Sequence, residues 1–146
     1  MCETNDCLVS ALLVGTYETD RPLVHDIFRN RKWRLFEAGD RSRALECLEK
    51  NPVEVVVAES QVPDWNWRRI LTDLRRFNPV PQLVVTSRMA DDYLWAEVLN
   101  VGGYDVLAQP LDREEVERVV ASARRHFNVA PAKASRAISL SAAIVA

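Results

Sequence analysis

Val55-Val56-Val57-Ala58-Glu59-Ser60-Gln61-Val62-Pro63 sets four consecutive apolar residues against a single carboxylate, with a proline four residues farther on. A run this short, entered from Asn51-Pro52 and left through a polar turn, has the length of a buried strand rather than of a helix. Two later stretches echo it: Leu83-Val84-Val85-Thr86, and Val106-Leu107-Ala108 followed by Gln109-Pro110. All three read as carboxyl ends of buried strands, which is where ligand chemistry collects in an open α/β sheet.

Outward from that stretch, apolar runs of strand length alternate with segments of helical period. Val9 to Val14 reads as the first strand, and Leu23, Val24, Ile27 and Phe28 as the apolar face of a helix with Asp20 at its N-cap and Pro22 in its first turn. Trp33 to Glu37 reads as an edge strand closed by Gly39. Asp40 then caps a helix carrying Ala44, Leu45 and Leu48, which Asn51-Pro52 ends before a third strand, Glu54 to Ala58. After a loop around Pro63, a helix runs from Trp67 to Phe77 and stops at Asn78-Pro79-Val80-Pro81, leading to strand four, Gln82 to Thr86. The fourth helix spans Asp91 to Val101 with Leu94, Trp95, Val98 and Leu99 as its stripe, and Gly102-Gly103 terminates it. Strand five is Asp105 to Ala108. Asp112 and Glu115 form a capping box for a last helix bearing Val116, Val119, Val120, Ala123 and Phe127.

Five β/α units with near-continuous apolar strands predict a parallel sheet with helices on both faces and right-handed crossovers, a three-layer α/β/α architecture. The 146 residues, 48% hydrophobic and 27% charged, fit one domain with a substantial core. The expected organisation is an N-terminal extension over residues 1–8, a domain over 9–127 and a flexible tail over 128–146. A net charge of -2 from 19 basic and 21 acidic residues mixed along the chain argues against nucleic acid and membrane as partners. Cys2, Cys7 and Cys47 form neither a disulfide framework nor a zinc motif, and a reducing cytoplasm fits them best. No cofactor or metal is expected.

Glu59-Ser60-Gln61-Val62-Pro63, Thr86-Ser87 and Leu107-Ala108-Gln109-Pro110, at these separations, resemble the motifs of the response-regulator receiver domain of two-component signalling over roughly residues 9 to 127. The resemblance implies a flavodoxin-like, doubly wound sheet of strand order 2-1-3-4-5. It also implies a phosphoacceptor pocket, and there this chain departs from the pattern. The family takes its phosphoryl group on an Asp where this chain has Glu59. Two acids that hold Mg²⁺ after strand one are here Gly15 and Thr16, and the Lys of a Lys-Pro pair is Gln109, ahead of Pro110. Of the phosphate-handling set only Thr86 remains, and the strand-five aromatic residue that reports phosphorylation is Val106. A hard cation prefers carboxylate oxygens, and losing a charge-assisted contact to phosphate forfeits about 1.5–3 kcal/mol.

The expectation is therefore a stand-alone degenerate receiver that catalyses nothing and works by phosphorylation-independent protein–protein contact. Its partner would be a signalling protein, such as a histidine kinase or another regulator, with homodimerisation a further option. The contact surface suggested is Trp65, Tyr93, Trp95, Tyr104 and Arg124, although Trp95 also fits the core stripe and Trp65 a lid over the pocket. Glu59 reads either as a solvated strand end or as a permanent negative charge beside Thr86 that mimics phosphorylation. Two alternatives stand beside this reading. One is a conventional regulator whose acidic site is rebuilt from Glu18 and Asp20, otherwise a solvated loop and an N-cap. The other is an FMN-binding protein using Gly15-Thr16-Tyr17-Glu18-Thr19 as its phosphate loop.

Overall fold

In the computed structural model, which describes residues 9–127, the five expected strands form one parallel sheet. They are β1 (Ser10–Val14), β2 (Arg34–Ala38), β3 (Val55–Glu59), β4 (Gln82–Ser87) and β5 (Asp105–Ala108), ordered β2-β1-β3-β4-β5. Between them run α1 (Arg21–Arg31), α2 (Arg41–Lys50), α3 (Trp67–Leu74) and α4 (Asp92–Asn100), and residues 113–127 form the last helix, α5. The expected extension over 1–8 and tail over 128–146 lie outside the described residues.

Side chains alternate across the sheet with a period of two, so each central strand feeds two cores. Ala11, Leu13, Val57, Val84 and Leu107 pack against Val24, Ile27 and Phe28 of α1 and Val116, Val119 and Val120 of α5. Leu12, Val14, Val56, Ala58, Leu83 and Val85 pack on the opposite face against Ala44 and Leu48 of α2, Ile70, Leu71 and Leu74 of α3 and Val98 of α4. The continuous apolar runs were legible because both faces of these strands are covered.

Capping fixes where the helices begin. Asp40 accepts from Arg43 N (2.9 Å), Asn66 from Arg69 N (3.0 Å), Asp91 from Leu94 N (2.9 Å) and Asp112 from Glu115 N (3.1 Å). Each satisfies a backbone donor that the first helical turn leaves free.

Several boundaries differ from the sequence reading by a residue or more, and three of them have a clear local reason. Trp33 closes α1 instead of opening β2: Lys32 takes a left-handed φ of 59°, and Trp33 N bonds back to Phe28 O (2.9 Å) with its ring edge-on to Phe28. β3 extends through Glu59, which the ladder pairs with Thr86. α3 ends at Leu74, after which Arg76 N to Asp73 O and Phe77 N to Leu74 O form tighter turns. The supposed loop at Pro63 is a small antiparallel hairpin, Gln61–Val62 with Trp65–Asn66, turned by Asp64 at φ 62°.

Ile70, fully buried on the sheet-facing side of α3, gives a direct test of the packing. Ile70→Ala is expected to cost about 2–5 kcal/mol, whereas the exposed Tyr93→Ala should stay within about 0.5 kcal/mol; urea denaturation of both variants measures the contrast.

Candidate functional site

The carboxyl ends of β1, β3, β4 and β5 bring together Gly15, Thr16, Glu59, Thr86, Gln109 and Pro110, the residues expected from the sequence to form one pocket. The ladder sets Val14 beside Ala58, Glu59 beside Thr86 and Thr86 beside Leu107. Gln109 is fixed by its backbone N–H on Ser87 O (2.9 Å), and the Gln109-Pro110 peptide is cis.

Tyr17 fills this pocket. The loop after β1 turns it inward with φ 46°, leaving it 1% exposed, although a left-handed conformation costs a non-glycine residue about 1–2 kcal/mol. Its hydroxyl lies 2.6 Å from Thr86 Oγ1. Thr86 donates its one hydroxyl hydrogen to Gln109 Oε1 (3.3 Å), so Tyr17 is the donor in the first bond. Gln109 Nε2 in turn donates to Asp20 Oδ2 (3.2 Å), whose other oxygen accepts from Leu111 N (3.2 Å). The result is a directed relay, Tyr17 to Thr86 to Gln109 to Asp20, in which each hydroxyl and amide is used internally.

Burial pushes the Tyr17 phenol well above its ordinary range near 10. The negative charges of Glu59 and Asp20 push the same way, and the Thr86 hydroxyl, when turned to donate, offsets part of the effect.

Asp20 corrects the reading of this loop. It holds the N-cap position of α1, yet its side chain makes no capping bond and is 5% exposed in the pocket. Glu18, by contrast, is exposed.

Glu59 is a half-buried strand end. Its carboxylate turns to the β1 loop and accepts from Thr16 N (3.2 Å), while the hydroxyl of Thr86 is taken by Tyr17 and Gln109. Gly15 makes room for it: at φ 128° a Cβ would lie 2.8 Å from Glu59 Cδ and closer still to Oε1. The Mg²⁺ seat implied by the resemblance does not fit these residues. Gly15 and Thr16 bring no carboxylate, Glu59 leans on their backbone, and Asp20 is spent on Gln109 and Leu111. Among the described residues no group of three or more His, Cys, Asp and Glu side chains is placed to hold a metal ion. An open cleft of about 620 Å³ does lie beside Gly15 and Thr16, but Glu18, Arg21, Glu37 and Arg43 form its other walls, and neither Thr86 nor Gln109 lines it.

The residues expected at the surface divide. Tyr93 is 73% and Trp95 48% exposed, with Trp95 Nε1 donating to Asp105 Oδ1 (3.2 Å), so Trp95 leaves the core stripe assigned to it. Tyr104 is half-buried on α5, its hydroxyl shared with Ser122 and His126. Val106 is half-buried and packs toward the α4 side of the sheet.

Trp65 and Arg124 are corrections. Trp65 is 1% exposed and is no lid: its indole N–H is aimed at Asp73 Oδ2 (2.7 Å), which Arg41 Nε also reaches (2.9 Å). Trp67 is likewise buried, beneath the Arg68 guanidinium. Arg124 is 8% exposed, with Nε 3.4 Å from Glu54 Oε1 at the amino ends of the strands, opposite the pocket.

Sequence reasoning missed Tyr17 and mistook Asp20. An aromatic residue in a polar loop immediately after a buried strand was the available signal for the first. Nothing in the spacing distinguishes a capping Asp from one that swings into the cleft.

No family model matches the chain. The curated protein "Probable transcriptional regulatory protein TcrX" of Mycobacterium tuberculosis is 31% identical over 109 residues, 74% of this chain and 46% of its own length. The chain spans about half the length of the first curated relatives it matches. Among solved structures, the signal receiver domain of an HD domain-containing protein from Pseudomonas fluorescens superposes with a TM-score of 0.73 at 22% identity, covering 84% of this chain and 98% of that one. The Saccharomyces cerevisiae receiver domain of Ssk1, solved with the histidine phosphotransfer protein Ypd1, gives a TM-score of 0.71 at 12% identity, covering 82% of this chain and 90% of that one.

Two measurements check the pocket. Gly15→Ala should destabilise the protein by at least about 1–2 kcal/mol from the positive φ alone, and adding Glu59→Ala should recover the overlap but not the backbone part; a urea double-mutant cycle separates them. Because the folded pKa of Tyr17 is raised, its stabilising contribution is complete below about pH 10 and falls as pH climbs above it, at up to about 1.4 kcal/mol per pH unit. Urea midpoints between roughly pH 9 and 11 should therefore drop more steeply for the wild type than for Tyr17→Phe.

Proposed function

The chain carries the receiver-domain fold of response regulators, and from that premise we propose that it serves two-component signalling as a degenerate receiver, through protein contacts that need no phosphorylation. The observation that carries this reading is the Tyr17–Thr86–Gln109–Asp20 relay. Phosphoryl transfer proceeds by neutralising charge on the transferred group, chiefly with metal ions and cations. Here the acceptor position is a Glu engaged with the loop backbone, the usual lysine is an amide, and a phenol fills the space before Thr86. With an amide in place of the lysine and, among the described residues, no carboxylate cluster to seat a metal ion, the pocket favours staying shut.

Contacts then fall to the face formed by α4, β5 and α5. Trp95 lines a groove of about 500 Å³ whose walls include Asp91, Asp92, Asp105, Glu115 and Arg118, and Tyr93 and Met89, close by in the chain, are 73% and 79% exposed. Trp and Tyr are over-represented among residues that dominate binding energy, and the acidic rim suits a partner presenting an apolar side chain flanked by Lys or Arg. The Ssk1 receiver was solved against a phosphotransfer protein, so a protein of that kind, a histidine kinase or another regulator is the partner class we favour. Self-association through the same face is the alternative occupant.

Incubation with acetyl phosphate and Mg²⁺ followed by intact-mass analysis is expected to show no phosphoryl adduct; a labile adduct would overturn the phosphorylation-independent reading. Trp95→Ala, at a half-exposed site, is expected to weaken partner binding tenfold or more, about 1.4 kcal/mol, without changing the unfolding free energy from urea denaturation by more than about 0.5 kcal/mol.

A further inference from the structure

We infer that Tyr17 is a built-in ligand of the pocket, a positioning residue whose hydroxyl fixes Thr86 and, through Thr86, the shape of the α4-side contact surface. The inference rests on the proposed reading of this domain and names what sets the state of its surface.

The covalent and hydrogen-bonded path is short. Tyr17 donates to Thr86, and Thr86 donates to Gln109. The next residue, Ser87, does two things: its carbonyl accepts from Gln109 N (2.9 Å) and its hydroxyl accepts from Met89 N (3.0 Å). Met89 therefore begins the turn into α4 under control of the strand end that Tyr17 grips, and that turn delivers the exposed Met89, Tyr93 and Trp95. Asp105, the acceptor for the Trp95 indole, sits in β5 and is paired with β4 at Val84, two residues before Thr86.

A side chain present merely to fill space would not need the hydroxyl that bonds Thr86. A phenylalanine would occupy the same volume, and an ordinary loop would not hold an aromatic residue at φ 46°. The left-handed turn and the 2.6 Å bond together point to a residue retained for where it places its hydroxyl. Strain of this sort persists where the surroundings over-determine it.

The full chain suits a test by NMR, because Met89 is one of only two methionines and Trp95 is the exposed tryptophan, the other three being buried. Tyr17→Phe keeps the ring and removes the hydroxyl. It is expected to leave the protein folded and to shift both the Met89 ε-methyl and the Trp95 indole N–H resonances. Thr86→Val should shift them the same way, and the double variant should add nothing further, since both act through one bond. Tyr17→Gly tolerates the positive φ and opens the pocket. p-Cresol should return its Met89 and Trp95 resonances to the wild-type positions, whereas toluene should not.

Unchanged Met89 and Trp95 resonances in folded Tyr17→Phe would overturn the inference, as would equal rescue by toluene and p-cresol. The phosphoryl-adduct assay on the same samples is independent of these readouts. An adduct on wild-type protein would sink the phosphorylation-independent reading while leaving the Tyr17 link standing, and absent resonance shifts would do the reverse.

Discussion

A phenol taken out of water must donate its hydrogen to something, and in this domain Thr86 is what it finds. That requirement organises the carboxyl end of the sheet. Once Tyr17 gives its hydrogen to Thr86, Thr86 must give its own to Gln109, Gln109 must turn its amide nitrogen outward, and Asp20 is the carboxylate that receives it. Unpaired polar groups at this depth cost about 1–3 kcal/mol each, so the four residues stand or fall together. A network satisfied throughout is rigid, and one missing member leaves the rest exposed to that penalty.

The sheet makes the network possible by register. β3, β4 and β5 end level with one another because Glu59, Thr86 and Leu107 are ladder neighbours, and the two cores behind them hold the strands from both faces. Glu59 and Gly15 show the same economy of space. A carboxylate one methylene longer than Asp fits only by lying over the loop backbone, and only a residue without a Cβ lets it do so. The carboxylate of Glu59 is thereby directed at Thr16 N, while the Thr86 hydroxyl is bonded to Tyr17 and Gln109.

Much of this was legible in the sequence, and the failures have a common cause. Strands buried on both faces read as Val55 to Ala58 and Leu83 to Val85 because burial demands continuous apolar runs. Asp40 and Asp112 read as caps because capping is decided within one turn, and Asp91, read as the first helical residue, lies one position away as the cap of α4. The pocket residues Gly15, Glu59, Thr86 and Gln109 were found by resemblance and do meet at the strand ends. Tyr17, Asp20, Trp65 and Arg124 were missed or misplaced because their partners, Thr86, Gln109, Asp73 and Glu54, are chosen by tertiary contact. Asp20 and Gln109 lie 89 residues apart in the chain, beyond anything local spacing reports. Trp95 admitted two readings: it has the period of a core stripe, yet its indole finds Asp105 at the exposed surface where the other reading put it.

Tyr17, with Thr86, Gln109 and Asp20 bonded to it in series, leaves the proposed pocket little room for a metal ion or a phosphoryl group. Titration of isotopically labelled protein with Mg²⁺, following the backbone amides of Gly15, Thr16 and Glu59, tests this most directly. No saturable shift is expected at those amides into the millimolar range typical of weak divalent sites. A saturable shift centred on Glu59 and the loop after β1 would mean that the carboxylates are free to coordinate, and the account would be wrong.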